Sequence, residues 1–144
     1  MSEGLTEITA TWKGETTFVG LNATGGTVQM GMLDGKAGVS PMQLLLVAIG
    51  GCTGMDIVSI LQKKRLDLTG MEVRVSGKRA DDYPMIWTHI HITYLIRGNS
   101  IQPKDVEQAI ELSEEKYCSV GIMLGESARI TSEYHILIPG ETVK

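Results

Sequence analysis

The first third of the chain alternates polar and apolar residues in short runs separated by turns. Three runs have the period-two pattern of β-strands: residues 5–12 (LTEITATW), 16–22 (TTFVGLN) and 28–33 (VQMGML). Short turns at 13–15 (KGE) and 23–27 (ATGGT) separate them. The pattern predicts a small three-stranded antiparallel meander.

The most apolar part of the chain follows, SPMQLLLVAIGGCTGMDIVSIL at residues 40–61. Ser40 is a typical N-cap residue and Pro41 a typical first helical residue. From Met42 to about Lys64, apolar residues occupy nearly every side of the predicted helix. A helix that is apolar all round is expected to lie inside a protein.

Three glycines weaken this helix: Gly50, Gly51 and Gly54 each cost about 1 kcal/mol relative to alanine. A helix that keeps them indicates the close approach of a second backbone or a ligand. We expect another helix, such as that of a partner subunit, beside Cys52. Asp56 lies one turn further on and needs a polar partner if it is buried.

The second half of the chain begins with two long alternating runs, 68–80 and 86–98, joined by DDYP at 81–84. The remaining elements are an amphipathic helix over 100–118, a short helical piece over 119–127 and a closing strand over 128–138. This order predicts the α+β class, with helices packed on antiparallel sheets in a single domain spanning residues 1–144.

Bulk composition excludes several classes of protein. The 144 residues carry a net charge of −4, with acids and bases interspersed, which argues against a nucleic-acid partner. The first residues are polar and acidic, unlike a secretory signal. The longest uncharged apolar run, from Pro41 to Met55, is too short for a membrane span and ends at Asp56. We therefore expect a cytoplasmic protein with no membrane partner.

The sequence also predicts no metal site and no cofactor. The chain has two cysteines, Cys52 and Cys118, which fall short of a four-ligand zinc site. The three histidines do not have metal-ligand spacing, and we expect His89 and His91 on the solvent side of a strand. In a reducing compartment the two thiols are also not expected to form a permanent structural disulfide.

The thiols are the strongest candidates for chemistry. Taken singly, each cysteine is more often an inert core residue than a reactive one. Cys118 precedes SVGIML and is predicted near a helix N-terminus, where the helix dipole stabilises a thiolate. Cys52 lies in a glycine-rich patch that leaves room for a second element. The chain has two cysteines and no others, which matches the need for one nucleophile and one resolving thiol.

The residues SPMQLLLVAIGGCTGMD, followed much later by YCSV and a closing strand, resemble the OsmC/Ohr family of thiol-dependent peroxidases. The resemblance covers nearly the whole chain. The GGCTGMD segment is most similar to the YhfA-like branch of that family.

The resemblance implies an intertwined homodimer with sites at the subunit interface. It implies reduction of organic hydroperoxides, in which a sulfenic acid forms and is resolved to a disulfide that a dithiol later reduces. By motif position, Cys52 corresponds to the peroxide-attacking cysteine and Cys118 to the resolving one.

The chain departs from the family pattern around the reactive thiol. Peroxidases of the family carry a glutamate after the helix-starting proline, and it orients an N-terminal arginine onto the thiolate. Here that position is Met42, followed by Gln43, and the first arginine is Arg65. The cations before the cysteine helix are lysines, Lys13 and Lys36. The remaining candidates for the activating cation are Arg79, Arg97 and Arg129.

These departures keep two alternatives open. One is a non-catalytic protein that binds a small apolar ligand in the dimer cleft, and the other is a stress-related dimer without chemistry of its own. Flexible methionines suit an apolar site, although methionine is more often ordinary core filling. The candidates for such a lining are Met30, Met32, Met42, Met55 and Met123.

Overall fold

The computed structural model describes residues 4–33 and 35–143, apart from the side chains of Leu33 and Lys36. It divides into two compact units, one ending at Leu45 and the other starting at Leu46. The expectation of a single domain over 1–144 stays a prediction.

The first unit contains the predicted meander. Strands β1 (Ile8–Gly14), β2 (Thr17–Asn22) and β3 (Thr27–Met30) pair antiparallel in the order β1-β2-β3. The third strand is shorter than predicted because Gly31, at a φ of 89°, interrupts it. The chain then forms a separate two-residue pair, β4 (Met32–Leu33) with β5 (Lys36–Ala37).

Helix α1 (Pro41–Lys63, 23 residues) begins where the sequence predicts. The Gln43 N–H donates to Ser40 Oγ at 3.1 Å, and the Ser40 N–H donates to Gln43 Oε1 at 2.9 Å. This reciprocal pair is a capping box, which satisfies two of the helix's otherwise unpaired N–H groups.

Burial on α1 is confined to a single stripe, so the expectation of a helix buried on all sides was wrong. The buried residues are Ile49, Thr53, Ile57 and Leu61, spaced one turn apart. Met55, on another side, is 76% exposed. An apolar helix with so much open surface leaves a face for a further partner.

The uncharged run from Pro41 to Met55 is too short to cross a membrane, but the helix continues through Asp56 to Lys63. By length and composition α1 is capable of spanning a bilayer, a test that core helices of soluble proteins also pass. Its buried stripe packs in a core shared with a β-sheet, as a soluble core helix does.

The glycines of α1 have two different surroundings. A Cβ on Gly50 would lie 3.2 Å from Val75 Cγ2, and one on Gly54 would lie 3.4 Å from Val73 Cγ2. Strand β6 (Asp67–Arg79) of the same chain is therefore the second backbone that approaches them. Gly51 faces open space.

The sheet of the second unit is mixed rather than antiparallel. Strand β6 pairs antiparallel with β7 (Trp87–Asn99), as predicted, but β8 (Arg129–Leu137) runs parallel to β7. Parallel neighbours need a crossover connection. Here the crossover consists of α2 (Pro103–Leu112), a π-helical turn (Ser113–Tyr117) and α3 (Ser119–Leu124).

The core of this unit lies between α1, the crossover and one face of β7. Strand β7 contributes four fully buried side chains to this core: Ile90, Ile92, Tyr94 and Ile96. On the opposite face Leu95 is also fully buried, whereas the part of that face bearing His89 and His91 is polar, as predicted. Both rings hydrogen-bond Thr131 Oγ1 on β8, at 3.1 Å and 2.7 Å.

Removing the capping box tests how strongly it stabilises α1. Ser40→Ala deletes the oxygen that accepts from Gln43, and we expect a loss of about 1 kcal/mol in the free energy of unfolding. Denaturant titration measures it as a lower midpoint with an unchanged slope. Ser59→Ala, at an exposed position within the same helix, is the control. Equal midpoints for the two variants would contradict the role of the cap.

Candidate functional site

The two cysteines lie together in the folded chain. Both are free, and their sulfur atoms lie within 4.8 Å of each other and of a carboxylate oxygen of Asp56. Cys52 is half-buried, and Cys118 is fully buried. The structure therefore brings together both residues predicted for the site, and it adds Asp56.

Helix α1 positions two members of this cluster. Cys52 and Asp56 are four residues apart and so point from the same side of the helix. Thr53, between them in sequence, belongs to the buried stripe, and its hydroxyl donates to the Ile49 carbonyl at 3.0 Å. The packing of this stripe fixes the rotation of α1 and hence the direction of both side chains.

The π-helical turn positions the third member. The Cys118 N–H donates to the Ser113 carbonyl at 2.7 Å, the wider five-residue spacing of a π-turn. Cys118 is then the N-cap of α3, and its sulfur accepts from the Gly121 N–H at 3.2 Å. A Cβ on Gly121 would lie 3.1 Å from this sulfur, so glycine leaves room for it.

The electrostatics of Cys118 reverse one sequence-based expectation. Burial raises the pKa of the Cys118 thiol to about 12, with smaller contributions in the same direction from the neighbouring Cys52 and Asp56. The Gly121 N–H acts in the opposite direction but is outweighed. The expected helix N-terminus is therefore present, but the prediction of a low pKa at Cys118 was wrong because desolvation dominates.

Asp56 has the polar partner that its position requires. The hydroxyl of Ser113 donates to Asp56 Oδ2 at 2.9 Å, and Ser113 is fully buried. Ser113 thus contacts α1 through its side chain and holds Cys118 through its carbonyl. Nothing in the sequence pattern marked Ser113, which lies in an ordinary amphipathic helix pattern.

A second polar pair lies at the same place in the core. The Tyr94 hydroxyl donates to Glu114 Oε2 at 2.7 Å, and burial together with Glu114 raises the pKa of Tyr94. The phenol therefore stays neutral. Tyr94 follows Ile90 and Ile92 at alternate positions of β7, on a strand face that is fully buried, and a buried tyrosine hydroxyl needs a partner. That signal predicts a polar contact but not Glu114 as its partner.

A cavity of about 320 Å³ reaches Cys118. Its walls combine polar and apolar groups, and the polar side chains are Thr53, Glu114 and Glu126. The large apolar side chains are Ile49, Ile92, Ile122 and Ile130. The methionines considered as a lining do not border this cavity, whereas Met55 borders a groove along α1.

Two of the three arginines considered as activating cations, Arg79 and Arg97, form hydrogen bonds with other groups. Arg79 donates to the Met85 carbonyl and stacks over Trp87, and Arg97 donates to the Glu141 carbonyl. Arg129 is exposed at the start of β8. Within residues 46–143, the recorded hydrogen bonds and ion pairs of lysine and arginine do not include Cys52, Asp56 or Cys118.

The fold agrees with the comparisons to known proteins. The family model of the OsmC-like protein matches residues 33–133, so the chain belongs to the OsmC family. Within that family it is similar to protein YhfA of Escherichia coli K12, at 38% identity over 88% of this chain and 94% of the relative.

Solved structures have a similar fold. A hypothetical protein from Aquifex aeolicus VF5 is 36% identical, with a TM-score of 0.78 over 92% of this chain and 97% of its own. An OsmC-like protein from Mycoplasma pneumoniae, 13% identical, superposes with a TM-score of 0.77 over 92% and 96%. The organic hydroperoxide resistance protein OhrB of Bacillus subtilis, 15% identical, has a TM-score of 0.60 over 90% and 97%. The last two show likeness of fold alone.

The raised pKa of Cys118 leads to a test by alkylation. In Cys52→Ser, Cys118 is the one remaining thiol, and iodoacetamide reacts with its thiolate. Because the folded pKa is about 12, we expect the rate to climb about tenfold per pH unit through pH 9 without levelling off. The same variant unfolded in guanidinium chloride should react faster near neutral pH and level off earlier. A plateau near neutral pH in the folded variant would contradict the burial argument.

Proposed function

We propose that this protein is a thiol-dependent redox protein that reduces organic hydroperoxides through Cys52 and Cys118. The observation that carries the proposal is the approach of the two sulfur atoms to within 4.8 Å. A disulfide has an S–S length of about 2.05 Å and needs Cα atoms within about 7 Å. Rotation of the two cysteine side chains closes the remaining distance between the sulfur atoms.

The reaction proceeds in two displacements. The Cys52 thiolate attacks one peroxide oxygen, so an S–O bond forms, the O–O bond breaks, and the alkoxide takes up a proton as the alcohol. The Cys118 thiol then attacks the Cys52 sulfur, so the S–S bond forms and the S–O bond breaks. The leaving hydroxyl takes the Cys118 proton and departs as water. An external dithiol reduces the disulfide and regenerates both thiols.

The environment of each thiol supports this division of roles. Cys52 is the more exposed of the two, so a peroxide has access to it. Cys118 is fully buried with a raised pKa, so it holds its proton until the sulfenic acid forms next to it. The isoleucine walls of the neighbouring cavity suit the alkyl part of an organic hydroperoxide better than hydrogen peroxide.

The charge beside the thiols sets the expected speed. A cation next to a thiol favours the thiolate, whereas the charged group within 4.8 Å of both sulfur atoms here is the carboxylate of Asp56. We therefore propose slow turnover, with a dithiol of a reducing cytoplasm as the electron donor. The hydroperoxide assignment draws on relatives such as OhrB, whose name refers to organic hydroperoxide resistance.

Single-cysteine variants test the two roles separately. Cumene hydroperoxide consumption by the reduced protein should be lost in Cys52→Ser, because the one remaining thiol, Cys118, is fully buried and holds its proton. In Cys118→Ser one equivalent should be consumed, leaving a sulfenic acid at Cys52 that dimedone traps for mass spectrometry. Equal slow consumption by wild type and Cys52→Ser would refute the redox proposal.

That negative result would favour a second candidate, a non-catalytic protein that binds a small apolar ligand. The cavity of about 320 Å³, with four isoleucines in its walls, is the observation in its favour. A ligand that co-purifies with the protein and is identified by native mass spectrometry would support it.

We also propose that the protein is a homodimer that pairs through the open face of α1. A groove of about 760 Å³ runs along this face. Its apolar residues are Gly51, Gly54, Met55, Val58, Met71 and Val73. Gly51, with nothing within 4 Å of its would-be Cβ, leaves space for a second helix. Covering such a groove removes apolar surface from water, which is the main driving force of association.

A charge placed in the groove tests the dimer. Met55→Glu would bury a carboxylate without a partner, and we expect sedimentation velocity to change from dimer to monomer. Gln102→Glu adds the same charge at the exposed start of α2 and should remain dimeric. A monomeric wild type, or a dimeric Met55→Glu, would contradict the proposed interface.

A further inference from the structure

We propose that Cys52, Asp56 and Cys118 form a binding site for a thiophilic divalent cation, with zinc as the physiological ion. The proposal goes beyond the redox function and does not rest on it. Metal binding needs the reduced thiols at equilibrium, whereas peroxide reduction needs a nucleophile and a resolving partner.

The geometry is close to that of a zinc site. One ligand atom from each residue lies within 4.8 Å of the other two. With Zn–S of about 2.3 Å and Zn–O of about 2.0–2.2 Å, a tetrahedral site holds its ligand atoms about 3.6–3.8 Å apart. Movements of roughly 1 Å at the side chains therefore complete the site. Cys52 and Asp56 are fixed one turn apart on α1, and Cys118 is fixed by the N-cap of α3.

The chemistry of the three groups favours a cation. When both thiols ionise, the cluster holds three negative charges, and no lysine or arginine within residues 46–143 has a recorded hydrogen bond or ion pair to any of them. A divalent ion that binds both sulfurs displaces two thiol protons to solvent and replaces the repulsion with three bonds. Two thiolates with one carboxylate match the borderline-soft character of Zn²⁺, whereas Mg²⁺ and Ca²⁺ prefer oxygen ligands alone.

The surroundings supply the hydrogen bonds that orient metal ligands. Ser113 Oγ donates to Asp56 Oδ2, which leaves the other carboxylate oxygen for the ion. The Gly121 N–H donates to Cys118 Sγ and so supports a thiolate there. Partners of this kind hold ligand orientation, and their loss typically weakens metal affinity about 10- to 100-fold.

The fourth coordination position faces the open side of the cluster. The cavity of about 320 Å³ reaches Cys118, so a water molecule or a small ligand has a path to a bound ion. Three protein ligands with one exchangeable position are the pattern of reactive zinc sites, whereas structural sites have four protein ligands. The sequence analysis expected no metal because two cysteines are too few. The third ligand becomes apparent only when the fold brings Asp56 to Cys118.

Cobalt substitution tests the site on the reduced, metal-free full-length protein. We expect Co²⁺ to produce a thiolate-to-cobalt charge-transfer band that saturates at one ion per chain and is displaced by Zn²⁺. Competition with a chromophoric chelator measures the zinc affinity. X-ray absorption of the zinc-loaded wild type should show two sulfur ligands and at least one oxygen ligand. The spectroscopy needs no variant, so it does not depend on whether a substituted chain folds.

Two variants test the ligand Asp56 and its hydrogen-bond partner Ser113 separately. Asp56→Asn keeps an acceptor for Ser113 but removes the anionic ligand, and Ser113→Ala removes the orienting hydroxyl. We expect both to weaken zinc binding about 10-fold or more. Asp105→Asn, at a carboxylate that pairs with Lys64 on the surface, is the matched control and should bind as wild type does.

The outcomes are distinct from those of the peroxide assay. Absence of the charge-transfer band in reduced wild type, or fewer than two sulfur ligands by X-ray absorption, would overturn the metal site. An Asp56→Asn variant with wild-type affinity would overturn the three-ligand arrangement. Peroxide consumption is measured separately in chelator-treated protein, so either proposal can fail while the other holds.

Discussion

The candidate site depends on one residue, Ser113, which joins two distant parts of the chain. Its carbonyl accepts from the Cys118 N–H, and its hydroxyl donates to Asp56 on the cysteine helix. The π-helical turn that begins at Ser113 produces this geometry, because the wider turn places Cys118 at the start of α3 with its sulfur facing α1. Without that turn, proximity of the two thiols would depend on apolar packing alone.

The site is electrostatically unlike an activated thiolate. Burial, a second thiol and a carboxylate all favour the protonated form of Cys118, and one N–H hydrogen bond opposes them. The same features also favour the binding of a metal ion. Groups that resist ionisation singly become strong ligands together when a divalent cation supplies the missing positive charge. A dithiol that alternates among free, oxidised and metal-bound forms is consistent with this environment.

Most of the fold was predictable because local signals and burial patterns agree. The serine–proline start of α1, the antiparallel hairpin of β6 and β7, and the polar strand face bearing His89 follow directly from spacing. The parallel pairing of β8 was not predicted, because pairing direction depends on the path of the crossover rather than on the strand's own residues. The burial of α1 was overestimated because an apolar helix face has the same sequence pattern whether its own core or a partner covers it.

The site was predictable in its thiols but not in its surroundings. Cys52 and Cys118 were identified from their number and their neighbours. Asp56 was expected only to need a polar partner if buried, and Ser113 and Glu114 were not identified, because each looks like an ordinary polar helix residue until the tertiary fold is known. The pKa of Cys118 was predicted in the wrong direction for a related reason: a helix terminus is visible in the sequence, whereas the depth of burial is not.

Peptide mapping after oxidation tests most directly whether the two thiols act as one chemical unit. The reduced wild type would be treated with one equivalent of cumene hydroperoxide, digested without reductant and analysed by mass spectrometry. The account predicts a peptide pair joined by a Cys52–Cys118 disulfide within one chain. Oxidation of Cys52 to sulfinic acid with Cys118 left as a free thiol would contradict it.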